Sequence, residues 1–132
     1  MSPVANMLIQ IKNAQLAKKD HVMVPYSELK SRIANLLKEA GYLDLVEKKK
    51  RQVKKAELSY LFIKLNYENG DKVIHDIKLV SKPSRRIYGK SKELTKVLNG
   101  YGLSVVSTSQ GIMTGEDAGK KGIGGEVICE IW

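Results

Sequence analysis

Apolar residues recur every three or four positions in two stretches near the start of the chain, then at every second position through most of the remainder. Val4, Met7, Leu8 and Ile11 share one side of a predicted helix, with Asn6, Gln10 and Asn13 on another. Ser2 is a suitable N-cap, and Pro3 suits the first helical position, where its missing N–H is not needed. His21–Pro25 is a short β-branched run stopped by proline, which predicts a strand. A second helix comes next: Ser27 caps it, Leu29, Ile33, Leu36, Leu37 and Ala40 form its apolar stripe, and Gly41 stands where a left-handed residue ends a helix. Two strands are predicted after it, Tyr42–Glu47 and Leu58–Tyr67. The second places Leu61, Ile63, Leu65 and Tyr67 on one face, and Tyr60 and Phe62 on the other.

Asn69-Gly70 is a strong tight-turn signal, and a strand at Val73–Val80 would complete a hairpin-like unit. A basic loop, Lys82-Pro83-Ser84-Arg85-Arg86, leads to a short helix predicted at 91–98, ended by Asn99-Gly100. Thr114 and Asp117 have capping-box-like spacing for one helical turn before Gly122. Val127, Cys129 and Ile131 alternate with Ile128, Glu130 and Trp132, which predicts a final strand. The sum is an α+β protein of two small packed modules, residues 1–69 and 70–132. Each alone would be marginal by surface-to-volume scaling, so they are expected to share an apolar interface and behave as one rigid body.

Charge and cysteine content narrow the function classes. With 132 residues, 23 Lys+Arg and 14 Asp+Glu, the chain carries a net charge of +9, an excess that invites a polyanion. Residues 1–69 hold 13 basic and 7 acidic side chains, residues 70–132 hold 10 and 7. One cysteine, Cys129, forms no internal disulfide, and together with His21 and His75 it supplies too few ligands for a Cys-rich zinc site. The sequence contains no run of about 18 apolar residues for a membrane span, and its start lacks a signal-peptide pattern. A cytoplasmic protein without a membrane partner is the expectation.

Catalytic patterns are weak. Gly89-Lys90-Ser91 looks like the end of a phosphate-binding loop. That loop needs a glycine five residues before its Gly-Lys, where this chain has Ser84 followed by bulky residues. Gly122-Ile123-Gly124-Gly125 leads into a strand, which fits a turn or a close backbone approach better than a dinucleotide fingerprint. Glu116 and Asp117 are adjacent and do not face each other on a helix. Cys129 alternates with core positions and has no adjacent base, so a buried, inert thiol is expected. A small phosphate- or RNA-processing enzyme is therefore disfavoured, and neither a cofactor nor a metal is implied.

Nucleic-acid binding draws more of the sequence together. From Lys48 to Lys55 six of eight residues are Lys or Arg, and 82–86 is a second basic stretch. Such contacts set affinity without choosing sequence. The first run also reads as a solvated, mobile hairpin tip. Ser107-Thr108-Ser109-Gln110-Gly111 offers three hydroxyls and an amide on a glycine-ended loop, groups able to meet 2′-hydroxyls and base edges. The competing reading is a turn whose hydroxyls satisfy their own backbone. Tyr88 would either stack on a base or pack in the core.

These pieces form a connected pattern. Gly102, Ser107-Thr108-Ser109, Gly111-Ile112-Met113-Thr114, Ala118 and Gly124-Gly125-Glu126-Val127, ending in Cys129 and Trp132, closely resemble the signature of the bacterial small-subunit ribosomal protein S-eight family. Pro3–Leu8 with Lys12-Asn13-Ala14 resembles the family's opening helix, and Ser81-Lys82-Pro83 with Arg85, Arg86 and Tyr88 its central loop. The resemblance implies a two-domain α+β structural constituent of the ribosome that binds the central domain of small-subunit rRNA directly and early in assembly, beside neighbouring small-subunit proteins. By motif match the main RNA contacts fall on Ser107, Thr108, Ser109, Gly111, Gly124, Gly125 and Glu126, with Tyr88, Arg85 and Arg86 nearby. Further contacts fall on Lys12, Asn13, Lys30, Lys54 and Lys55 of the first module. Some members also repress their own operon through a messenger mimic of the ribosomal site, a role these residues leave open. Gln110 stands where a lysine is frequent, and 115–119 is less basic than is common, which puts phosphate contacts there in doubt.

Overall fold

The computed structural model describes residues 3–81, 85–90 and 102–132. The Ser2 cap, the loop at 82–84, the helix expected at 91–98 and the Asn99-Gly100 turn lie outside the described residues. Among the described residues three helices and several antiparallel sheets make an α+β fold, in two compact units, residues 3–73 and 74–132. No helix among the described residues is long and apolar enough to cross a membrane.

The first unit runs α1 (Pro3–Leu16), β1 (His21–Pro25), α2 (Glu28–Glu39), β2 (Leu43–Val53), β3 (Ala56–Leu65), β4 (Tyr67–Glu68) and β5 (Asp71–Lys72). Its main sheet has the order β1-β3-β2, all antiparallel. Leu61, Ile63 and Leu65 of β3 join Val24 of β1 in the core with Met7, Leu8 and Ile11 of α1 and Ile33 and Leu37 of α2. Burying each such side chain stabilises the unit by about 1.5–3 kcal/mol before chain entropy is counted. Ser27 caps α2 by accepting from the Lys30 N–H at 3.1 Å. The helix ends in a Schellman arrangement, with Tyr42 N–H on Leu37 C=O, Gly41 N–H on Lys38 C=O and Gly41 at φ +91°. Leu29, expected in the apolar stripe, is instead exposed. The buried face of α2 is made by Lys30, Ile33, Ala34 and Leu37. At 3.6 residues per turn Leu29 lies about a quarter turn from the centre of that face, so the helix points it away from the core.

Two strand expectations change. The basic run is the exposed end of a hairpin, with longer strands than expected: β2 continues through Lys48–Val53, paired residue for residue with β3, and only Lys54 and Lys55 make the turn. The pairing places Lys50 against Glu57, 3.2 Å apart, and Lys49 against the Phe62 ring, its ammonium 4.4 Å from the centroid. Long basic side chains can lay their stems along a two-stranded ribbon while keeping their heads in water. The single strand expected at Val73–Val80 is also absent. Asn69 (φ 52°) and Gly70 (φ 81°) make the two-residue turn of a small β4–β5 hairpin, as a type I′ turn requires. The chain then breaks at Ile74–Asp76, where the Asp76 carboxylate accepts from the Ile77 N–H at 2.8 Å. The backbone pairs again here with the end of the chain: the His75 and Asp76 N–H groups donate to the Trp132 carbonyl at 2.7 and 3.1 Å, the Trp132 N–H donates to the Asp76 carbonyl at 3.2 Å, and strand pairing continues from Ile77 in the other sheet.

The second unit holds β6 (Ile77–Leu79), β7 (Tyr88–Gly89), β8 (Leu103–Thr108), β9 (Gly111–Thr114), α3 (Gly115–Lys120) and β10 (Gly125–Ile131). The sheet order is β6-β10-β8-β9, with β7 also pairing to β10. Thr114 caps α3 by accepting from the Asp117 N–H at 3.1 Å, and Gly122 (φ +70°) closes it. Val106, Met113, Ala118 and Val127 form one core cluster, with Val80 and Ile123 packed against it. Val127, Cys129 and Ile131 are buried as the alternation requires, although the register to β8 shifts between Val127 and Cys129.

Burial pushes the Cys129 thiol up to about 12 from 9.0, and the charge of Glu130 adds to the rise. The folded state therefore holds this proton above the pH at which the unfolded chain releases it. The thiol's contribution to stability is fully present below pH 9 and is lost as pH rises toward 12. Its expected slope within that window is at most about 1.4 kcal/mol per pH unit. Chemical denaturation of the wild type and of Cys129→Ala from pH 8 to 11 checks it: the difference between their slopes should carry that sign. Folded protein should resist thiol labelling at pH 8.

A candidate nucleic-acid interface

The hydroxyl loop is a tight β-hairpin. β8 and β9 pair up to Thr108 opposite Gly111, which leaves Ser109 and Gln110 as the turn. The Thr108 hydroxyl donates to the Gly111 carbonyl at 2.8 Å and accepts from the Gln110 N–H at 3.1 Å. Gly111 sits at φ +113°, a backbone conformation that favours glycine. Thr108 thus satisfies the turn's own backbone, while Ser107 and Ser109 are different. Ser107 is half-buried at the end of β8 and Ser109 is exposed at the tip. Neither hydroxyl meets a partner among the described residues. Each can both donate and accept toward a ligand.

Beside this hairpin, β10 lies between β7 and β8. Glu126 stands opposite Tyr88 on one side and opposite Ser107 on the other, and Ser107 stands opposite Ile112. Directly opposed residues of antiparallel strands point to the same face, so Tyr88, Glu126, Ser107 and Ile112 form a row across the sheet. Tyr88 is 68% exposed, which rules out the core reading and leaves its ring open.

The two glycines before Glu126 make this row possible. A Cβ on Gly125 would lie 2.3 Å from the Ser107 carbonyl oxygen, and one on Gly124 would lie 2.6 Å from the Gly89 carbonyl oxygen. Both therefore mark close backbone approaches rather than a nucleotide loop. Arg86 reaches across to Glu126, its Nη1 lying 3.2 and 3.4 Å from the two carboxylate oxygens. The Ser81 hydroxyl holds the strand's approach by accepting from the Ile87 N–H at 2.9 Å. Arg85 is exposed next to Arg86.

The second unit thus brings together Ser107, Thr108, Ser109, Gly111, Gly124, Gly125, Glu126, Tyr88, Arg85 and Arg86 on the β8–β9 hairpin, the central strand β10 with the glycine before it, and β7 with the residues that lead into it. In the first unit, Lys54 and Lys55 are exposed at the turn of the β2–β3 ribbon, with Lys54 at φ 55°. Asn13 is exposed on α1 beside Gln10 and Lys19, where a groove of about 360 Å³ opens, lined also by Ala14, Ala17 and Val22. Lys12 is half-buried and engaged within the protein. Lys30 is only 5% exposed at the first turn of α2, so it presents little of itself to any partner. What sequence reasoning missed is the coupling of Arg86 to Glu126, 40 residues apart. Only the strand register reveals that pair. Among the described residues no group of three or more His, Cys, Asp or Glu could hold a metal ion.

Comparison with known proteins gives this arrangement its family. The model of the family described as ribosomal protein S8 matches residues 2–132. Small ribosomal subunit protein uS8 of Halothermothrix orenii is 44% identical over 133 residues, covering 98% of this chain and 96% of the relative. The proteins of the same name from Clostridioides difficile (41%) and Dictyoglomus turgidum (42%) cover the same shares. Identity at that level, over a match that runs nearly end to end through both units, has one reading: the chain belongs to the ribosomal protein S8 family.

Proposed function

We propose that this chain, as a structural constituent of the small ribosomal subunit in the cytoplasm and not an enzyme, binds the central domain of small-subunit rRNA directly and supports assembly of the subunit. The observation that carries the reading is the row of exposed Tyr88 with half-buried Glu126 and Ser107, beside the exposed Ser109 tip. It joins an open aromatic face, an acceptor and two hydroxyls without partners among the described residues, on a frame of paired strands. That is equipment for an irregular RNA helix, whose splayed bases and 2′-hydroxyls offer more than phosphate. Exposed cations at Arg85 and at the Lys54–Lys55 turn would supply the attraction that brings RNA in from either unit. Lys12 and Asn13 would add contacts from α1, and Lys30 is left out of the contact set because it is buried. Neighbouring small-subunit proteins are further expected partners. A messenger carrying the same irregular helix would use the same face.

The test is competition binding at moderate salt, with a central-domain rRNA fragment set against a regular duplex of equal length. The fragment should bind at least about ten-fold more tightly, equivalent to about 1.4 kcal/mol. Equal binding would leave only charge-driven attraction and would remove the proposal.

A further inference from the structure

Glu126 is the one acidic side chain in the row, and it sits where a polyanion would lie. The site's other groups attract or are neutral, so the carboxylate needs its own account. Its side chain is 17% exposed, while that of its partner Arg86 is 62% exposed. The carboxylate is thus held within the sheet surface, flanked by the Tyr88 and Ser107 strands, and the guanidinium folds over it from outside. The glycines at 124 and 125 let the strands on either side close to distances that a Cβ would forbid, and this fixes where the carboxylate stands.

We infer that Glu126 is a specificity-determining residue, which acts mainly by rejecting RNA that brings phosphate to this point. The inference rests on the RNA-binding reading above and deepens it. The geometry has two physical consequences. First, an ionised carboxylate accepts hydrogen bonds and cannot donate them. A phosphate oxygen placed against the carboxylate meets like charge and gains no hydrogen bond from it, whereas an exocyclic amino group or a 2′-hydroxyl finds an acceptor between Tyr88 and Ser107. Second, the carboxylate pairs with Arg86 and offsets its charge. The face therefore offers a regular backbone less net charge than its arginines suggest. Selectivity of this kind comes from a penalty on the wrong partner as well as from contacts to the right one. Such a division of labour accounts for an acidic residue between a tyrosine and a serine in a protein of net charge +9.

The experiment uses the full chain with two probes, the central-domain rRNA fragment and a regular duplex of the same length, titrated over a range of salt. Glu126→Gln keeps the shape and removes the charge. Duplex binding should tighten about five- to ten-fold and its salt slope should steepen, by less than about one unit. The fragment should gain little or lose, so that the ratio of the two affinities falls about ten-fold. Arg86→Gln bares the carboxylate: both RNAs should weaken, and the ratio should hold or rise. Melting temperatures of both variants report whether the fold is kept. If Glu126→Gln is unfolded, the Arg86→Gln ratio decides alone, and its collapse would mean that the pair is only a brace. An unchanged ratio in folded Glu126→Gln, or equal weakening of both RNAs, overturns the inference. The underlying reading fails differently, by a wild type that does not prefer the fragment.

Discussion

Gly125→Ala should be the most damaging small substitution in the second unit. The added Cβ would lie 2.3 Å from the Ser107 carbonyl oxygen, 2.9 Å from Val106 Cγ1 and 3.0 Å from the Ser107 carbonyl carbon. Two of those atoms are backbone of a paired strand, so no side-chain rotation relieves the clash. β10 would have to draw back from β8 at the point where Glu126 faces Ser107. Val127 comes next along the strand, in the core cluster with Val106, and the displacement would loosen that cluster as well. Overpacking in a tight core typically costs 1–3 kcal/mol, and loss of ladder bonds adds to it, so about 3 kcal/mol or more is expected. Chemical denaturation reads this directly. Gly124→Ala makes a useful contrast. Its Cβ would meet the Gly89 carbonyl oxygen at 2.6 Å, but β7 is only two residues long and can yield. That variant should lose less stability, about 1–2 kcal/mol, while still moving Tyr88. If Gly125→Ala melted like the wild type, close strand approach would not be what these glycines provide.

The difference between these glycines and the other signals shows what a sequence can carry. The Ser27 and Thr114 caps and the buried alternation of Val127, Cys129 and Ile131 depend on residues a few positions apart, and all are readable directly. The I′ turn at Asn69-Gly70 is equally plain. Two strand expectations fail where local pattern loses to pairing. The period-two run after Gly70 is split because the chain changes partner there, from β4 at Asp71–Lys72 to the end of the chain from His75 onward, and the lysine run stays in the ladder because β3 pairs along it. Lys30 reads as a surface cation on charge alone; its burial comes from the face of α2 on which it lies. At the site, the glycine cluster can be recognised as a close approach, but not which strand approaches. The Arg86–Glu126 pair and the row through Tyr88 and Ser107 are products of register between distant segments, so no spacing along the chain encodes them.

Thr108 and Lys54 should separate the two contributions to the proposed RNA binding most sharply. Thr108 is unlike its serine neighbours because its hydroxyl already makes two hydrogen bonds inside the turn, to Gly111 and from Gln110. Thr108→Ala deletes both, and the turn that presents Ser109 loses its internal tie. About 1–3 kcal/mol of stability should go with them. The central-domain fragment should lose about ten-fold or more in affinity, because the Ser107 and Ser109 hydroxyls no longer stand at fixed positions. A regular duplex, held by charge, should lose little. Thr108→Ser restores the hydroxyl and should recover most of the fragment affinity. Lys54→Ala, at the exposed turn of the first unit, should weaken both RNAs about equally and lower the salt slope by something under about one unit. Equal loss on both RNAs in Thr108→Ala, without rescue by serine, would mean that the hairpin only holds the sheet together and that selection resides elsewhere on the row.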